Sequence, residues 1–116
     1  MNDQDILDFV KEESARFGID EPNIEMRNKK SNFGNTYCQE WRIILNKAWC
    51  HRSGEIIVKQ LISHELMHLR DYWIRGHTGH DRIFKDMCQE FGVYLSVRAS
   101  TKNQRNKIVR KIKSNL

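Results

Sequence analysis

Two histidines four residues apart, with a glutamate directly after the first, are the residues here whose types and spacing can do chemistry. They form the run His64-Glu65-Leu66-Met67-His68. On an α-helix, residues four apart lie about one turn apart on one face. Two imidazole nitrogens placed that way can share one Zn²⁺, and the intervening carboxylate can reach a water at that metal and accept its proton. The expectation is a hydrolytic zinc centre with one ion, His64 and His68 as ligands and Glu65 as catalyst.

The flanks must supply a buried helix to carry this set. Ser53 suits an N-cap, and Glu55 suits the positive end of a helix dipole. Ile57, Leu61, His64, His68 and Tyr72 then fall on one stripe, with Ile62, Leu66, Leu69 and Trp73 beside it. Both histidines continue an apolar face. A single histidine there is commonly a satisfied core residue; two at ligand spacing around a glutamate favour a metal.

A catalytic zinc keeps three protein ligands and an open position. The next segment, Arg75-Gly76-His77-Thr78-Gly79-His80-Asp81, offers two more histidines. Gly76 is expected to end the long helix, and Gly79 to let the backbone turn back. Thr78 and Asp81 look like a capping box for a second helix with Ile83, Phe84, Met87, Cys88 and Phe91 on its apolar side. His80, in the first turn of that helix, is preferred as third ligand over His77 in the turn. Glu90 is a weaker alternative.

With these motifs in place, the chain resembles the SprT-like zinc metalloprotease domain of the Spartan/SprT family. The resemblance rests on His64-Glu65-Leu66-Met67-His68, followed after a helix-turn by Gly79-His80-x-x-x-Phe84-Lys85. Tyr37-Cys38 and Ile43-Ile44-Leu45-Asn46 are similar to that family's strand pair before the zinc helix, so the likeness covers roughly residues 20 to 92. It implies a zincin-like fold, His64, His68 and His80 as zinc ligands, Glu65 as catalyst, and kinship with proteases that degrade proteins crosslinked to DNA. Asp81 stands where the SprT pattern usually has Gly, and His-Asp-x-x-Phe is closer to the neighbouring WLM-type proteases. The cysteine-paired zinc ribbon of many bacterial relatives is missing.

The elements that position the set read as an α+β domain over residues 1–97, with a basic tail at 98–116. At 116 residues, 39% hydrophobic and 30% charged, the chain suits one soluble domain. No run approaches the ~18 apolar residues of a membrane span, and the acidic N-terminus is unlike a signal peptide, so an intracellular, cytoplasmic location is expected. Cys38, Cys50 and Cys88 are odd in number and lack Cys-x-x-Cys spacing, which fits reduced thiols; Cys50-His51 reads as an incidental pair in a polar loop.

Along the chain, residues 3–17 read as a helix with Ile6, Leu7, Val10 and Phe17 inward and Gly18 as its stop. A short strand near Ile24–Arg27, a polar stretch from Asn28 to Asn35 and a strand from Thr36 to Leu45 complete a small antiparallel sheet. Trp41 and Trp49 are placed in the core or at the cleft rim. The strand ending at Asn46 is expected to hold extended substrate by strand addition, which grips main chain and gives low sequence specificity. Tyr72, His77, Arg75 and Arg82 are candidate oxyanion stabilisers.

The tail carries a separate charge signal. Residues 98–116 hold seven of the 20 Lys and Arg and none of the 15 acidic residues, so the tail is +7 and the rest of the chain −2. Arg98, Lys102, Arg105, Lys107, Arg110, Lys111 and Lys113 are expected to bind DNA through phosphates, with strong salt dependence and no base readout. A solubilising end, or a basic helix for an acidic partner or membrane surface, would show the same charge. The composite expectation is a zinc metalloendopeptidase acting on DNA-associated proteins. The alternatives are a regulatory protease for one partner, or a non-enzymatic module with structural zinc.

Overall fold

The structure, a computed structural model, describes residues 1–28 and 33–94. The tail cations from Arg98 to Lys113 and residues 29–32 of the polar stretch lie outside the described residues. The described chain is α+β, with four α-helices and one three-stranded sheet.

Helix α1 (Asp3–Phe17) starts where the Asn2 side chain accepts the Asp5 amide and stops at Gly18, which takes up a φ of 69°. Ile6, Val10 and Phe17 are buried along one stripe. Leu7, expected to face inward, is 47% exposed because one residue step turns it about 100° off that stripe.

The sheet comprises β1 (Asn23–Arg27), β2 (Gly34–Tyr37) and β3 (Arg42–Asn46), in the order β1-β3-β2. The single strand that alternation predicts over 36–45 is in fact a hairpin, in keeping with the strand pair that the family resemblance implied at Tyr37-Cys38 and Ile43–Asn46. A turn of 3₁₀ helix at Cys38–Glu40, followed by Trp41 at a φ of 51°, reverses the chain between β2 and β3. Gln39 and Glu40 are adjacent polar residues that break the period of two, and the strand ends there. The sheet is also mixed instead of antiparallel. β2 runs antiparallel to β3 and β1 runs parallel to it, since the chain reverses twice between β1 and β3.

Strand β3 is therefore central, and Ile43, Ile44 and Leu45 are consecutively buried, as in a strand covered on both faces. That position rules it out as the substrate shelf, because both its edges are paired. β1 and β2 are the two outer strands, and β2 packs against α3. Gly34 permits the close approach: a Cβ there would stand 3.1 Å from Leu45 Cδ2 and 3.6 Å from Leu61 Cδ2.

Helix α2 (Lys47–Arg52) is capped by the Asn46 side chain, which accepts the Trp49 amide. Cys50 and His51 thus sit on a helix instead of a polar loop. Cys50 is buried, and His51 Nε2 lies 2.6 Å from Asp3 on the surface. Trp49 is a core residue stacked on Phe33, whereas Trp41 is half-buried, edge-on to Trp73.

Helix α3 (Glu55–Arg75) has Gly54 as its N-cap; Ser53 instead closes α2. From Ile57 to Leu69 it is buried on nearly every face, between α1, β2 and α4. A helix so enclosed need not be amphipathic there. Past that zone Trp73 emerges, 74% exposed, and Gly76 ends the helix at a φ of 77°. Helix α4 (Arg82–Glu90) follows, with Phe84 and Cys88 buried and Ile83, expected inward, half exposed.

Candidate metal centre

His64 and His68 point from the enclosed part of α3 toward the turn before α4, where His80 meets them. His80 Nε2 is 3.2 Å from His64 Nε2 and 3.1 Å from His68 Nε2. Three bare imidazole nitrogens at that separation have too few protons among them to bond one another well; they share a centre best occupied by a cation. Two ligands on a tetrahedral zinc at 2.0–2.1 Å stand roughly 3.3 Å apart, so the donor type and the spacing suit that ion. Among the described residues, this is the one group of three or more such side chains that could hold a metal.

Each ring on α3 is held from behind. His64 Nδ1 lies 3.4 Å from the Tyr94 carbonyl, and Gln60 Oε1 accepts the Tyr94 amide at 2.8 Å. His68 Nδ1 lies 2.8 Å from Thr78 Oγ1. A carbonyl only accepts, so His64 carries its proton on Nδ1 and turns an unprotonated Nε2 to the cluster. Phe84, fully buried, stacks on His68 with ring centres 4.2 Å apart and meets His64 edge-on. Burial first, and then the facing rings of His64 and His80, push the His68 pKa down to about 3. The ring is thus in the neutral form a metal requires.

His80 is placed by a clamp of charges. The Arg75 guanidinium pairs with both Asp71 oxygens, at 2.6 and 2.8 Å, and with both Asp81 oxygens at 2.9 Å. Asp71 is wholly buried. Burial acts to raise its pKa, but Arg75 and the Thr78 hydroxyl outweigh that and hold it below the usual carboxylate range. Asp81 is the N-cap of α4, accepting the Phe84 amide at 3.0 Å. Arg75, then the Phe84 amide, hold its pKa down to about 2. His80 thus precedes the helix cap instead of lying in the first turn. Thr78, expected to share in the cap, turns to His68 because Asp81 already satisfies the Phe84 amide.

Glu65 is buried on α3, and its carboxylate turns to the sheet. Thr36 Oγ1, on β2, lies 2.6 Å from Glu65 Oε2 and 3.3 Å from the Glu65 carbonyl. Neither Thr36 nor Thr78 was singled out for the centre from sequence, since threonine has no motif value alone. The Asp71–Arg75 pair had a signal in its i,i+4 spacing on a helix. His77 and Glu90 are exposed and stand outside the cluster. Of the candidate oxyanion groups, Arg75 is occupied by two carboxylates, His77 and Arg82 are exposed, and Tyr72 is half-buried.

The sequence matches the SprT-like family over residues 5–106, most of its length. The chain belongs to the SprT-like family. Its fold is similar to that of the metallopeptidase zymogen of Methanocaldococcus jannaschii jannalysin, at 24% identity and a TM-score of 0.69, covering 100% of this chain and 94% of that one. The metallopeptidase zymogen of Pyrococcus abyssi abylysin is similar as well, at 17% identity and a TM-score of 0.66, with 93% and 95% of the two chains covered. No curated protein matches this SprT-like chain significantly. No helix of the described residues is long and apolar enough to cross a membrane.

Proposed function

We propose that this SprT-like protein is a zinc metalloendopeptidase, with His64, His68 and His80 as the ligands of one zinc ion and Glu65 as general base. The observation that carries the proposal is the convergence of three Nε2 atoms, with a buried, threonine-anchored glutamate next to the first of these histidines in the chain. Zinc bound there supplies an acidified water and polarises a carbonyl. With a metal held by His64, His68 and His80, Glu65 would be the residue that accepts a proton and returns it to the leaving amine, work worth about 10²–10⁴-fold in rate. The hydrogen bond from Thr36 would hold the carboxylate in one position. Substrate lies extended beside β2, the outer strand on the α3 side.

A purely structural zinc would call for a fourth protein ligand. Among the described residues the group has three, and Cys38, Cys50, Cys88 and His77 are not in it. That favours an open coordination position. The neighbours' description as metallopeptidases points the same way. We extend the proposal to protein substrates held at DNA, cleaved with low sequence specificity; its support is the +7 charge of residues 98–116. The alternative of one dedicated partner predicts activity that DNA does not stimulate.

The test is cleavage of an unstructured protein by zinc-loaded enzyme, with and without DNA. Wild-type protein cleaves, Glu65→Gln retains zinc and fold but does not cleave, and DNA accelerates the reaction. Equal turnover by Glu65→Gln would remove that residue from the mechanism.

A further inference from the structure

Among the described residues, Trp41 is the one residue other than glycine with a positive φ, at 51°. A bulky side chain gains nothing from that conformation and is kept in it by its surroundings. The Trp41 carbonyl accepts the Asn23 amide at 3.0 Å, its amide donates to the Cys38 carbonyl at 3.1 Å, and its indole Nε1 donates to the Asp20 carbonyl at 2.9 Å. The ring is therefore fixed. Beside it stands Trp73, the most exposed large hydrophobic side chain of the described residues. The two ring centres are 6.3 Å apart and their planes are inclined at 70°. With Gly18, Ile19 and Asp20 the rings line a cavity of about 300 Å³. Trp73 comes five residues after His68, about 140° round the helix, so this cavity opens away from the metal centre.

The steep angle between the rings selects what fits. A nucleobase is gripped by rings parallel to it, and a planar guanidinium lies flat on one ring. A rounded cation can touch two inclined rings at once, within the ~6 Å over which each attracts it. Charge agrees with shape. Asp20 is the one ionisable group among the described lining residues, and no described cation pairs with its carboxylate. A bare ammonium is strongly hydrated, which opposes its entry between indoles; methylation removes that obstacle. We propose that Trp41, Trp73 and Asp20 form a binding site for a quaternary ammonium group, as carried by trimethylated lysine or by choline. The site shares no residue with the three histidines or Glu65 and stands apart from the metalloendopeptidase reading.

The test is a titration of the full chain with tetramethylammonium chloride at constant ionic strength, followed by the indole ¹H–¹⁵N signals of its three tryptophans. The signals of Trp41 and Trp73 shift to saturation, and that of Trp49, in the core, stays in place. Choline binds as well, whereas dimethylbutanol, its uncharged carbon isostere, does not saturate the site. Trp73→Leu, at an exposed position, leaves the Trp49 signal unchanged and weakens binding about five-fold or more. Asp20→Asn weakens it about two- to five-fold. Trimethyllysine amide is titrated beside choline, and the tighter of the two names the source of the group. Absence of saturable shifts, equal binding of dimethylbutanol, or wild-type affinity in Trp73→Leu overturns the site.

Discussion

Two threonines flank the metal helix and do the same thing at different places. Thr36 reaches in from the sheet edge to the carboxylate of Glu65, and Thr78 reaches in from the α3–α4 turn to the imidazole of His68. On the proposed reading, the sheet side supports the group that would move a proton, and the turn side supports groups that would hold the ion. Their backing differs too. Thr36 sits on a strand hydrogen-bonded to β3, whereas Thr78 lies in an irregular turn fixed by Asp71, Arg75 and Asp81. The proposed base is thus backed by regular backbone, and the proposed ligands by an ion-paired loop. Damage on one side should therefore read out differently from damage on the other.

The largest separation is expected from His80→Ala, on the turn side. It removes a ligand outright, so zinc affinity should drop by more than the roughly 10–100-fold that an outer partner costs. Chelator competition measures it; near-wild-type affinity would mean that His80 is not a ligand. Next is Phe84→Ala, beneath the rings. Truncating this fully buried aromatic should cost about 3–5 kcal/mol in urea unfolding, and a loss under ~1 kcal/mol would show that it is not packed as described.

Thr36→Val tests the sheet side. It should lower kcat about ten-fold with zinc affinity unchanged, and Thr36→Ser should recover the loss. If Thr36→Val loses zinc as His80→Ala is expected to, the two sides are one unit and the distinction fails. The smallest effect belongs to the tail. Deleting residues 98–116 should leave peptide cleavage as it is and flatten the salt dependence of DNA binding. An unchanged slope of affinity against salt would place DNA binding elsewhere.

The helices and the histidines were legible because they follow short-range rules. The spacing of His64 and His68, the stop at Gly76 and the caps around Phe17 and Gly18 are local chemistry. His80 could be preferred to His77 because a second helix had to start near it. Register and partner choice were not legible. In the alternation pattern nothing between Thr36 and Leu45 but the polar pair Gln39-Glu40 marks the 3₁₀ reversal; only the family resemblance divided this segment into two strands, and β3 passed for an edge. Trp73 matched the apolar stripe of α3 but lies beyond the elements that cover that helix. Thr36 and Glu65 are 29 residues apart, and no periodicity announces a contact at that range. The Asp71–Arg75 pair was readable from its spacing, yet its link to Asp81 depends on how the turn closes.

X-ray absorption at the zinc edge, on purified wild-type protein and Glu65→Gln, tests the central claim most directly. Three imidazoles and one further oxygen in the shell of a stoichiometric zinc, the same in both proteins, is the predicted result. Absence of stoichiometric zinc, a thiolate in the shell, or four protein ligands would contradict it.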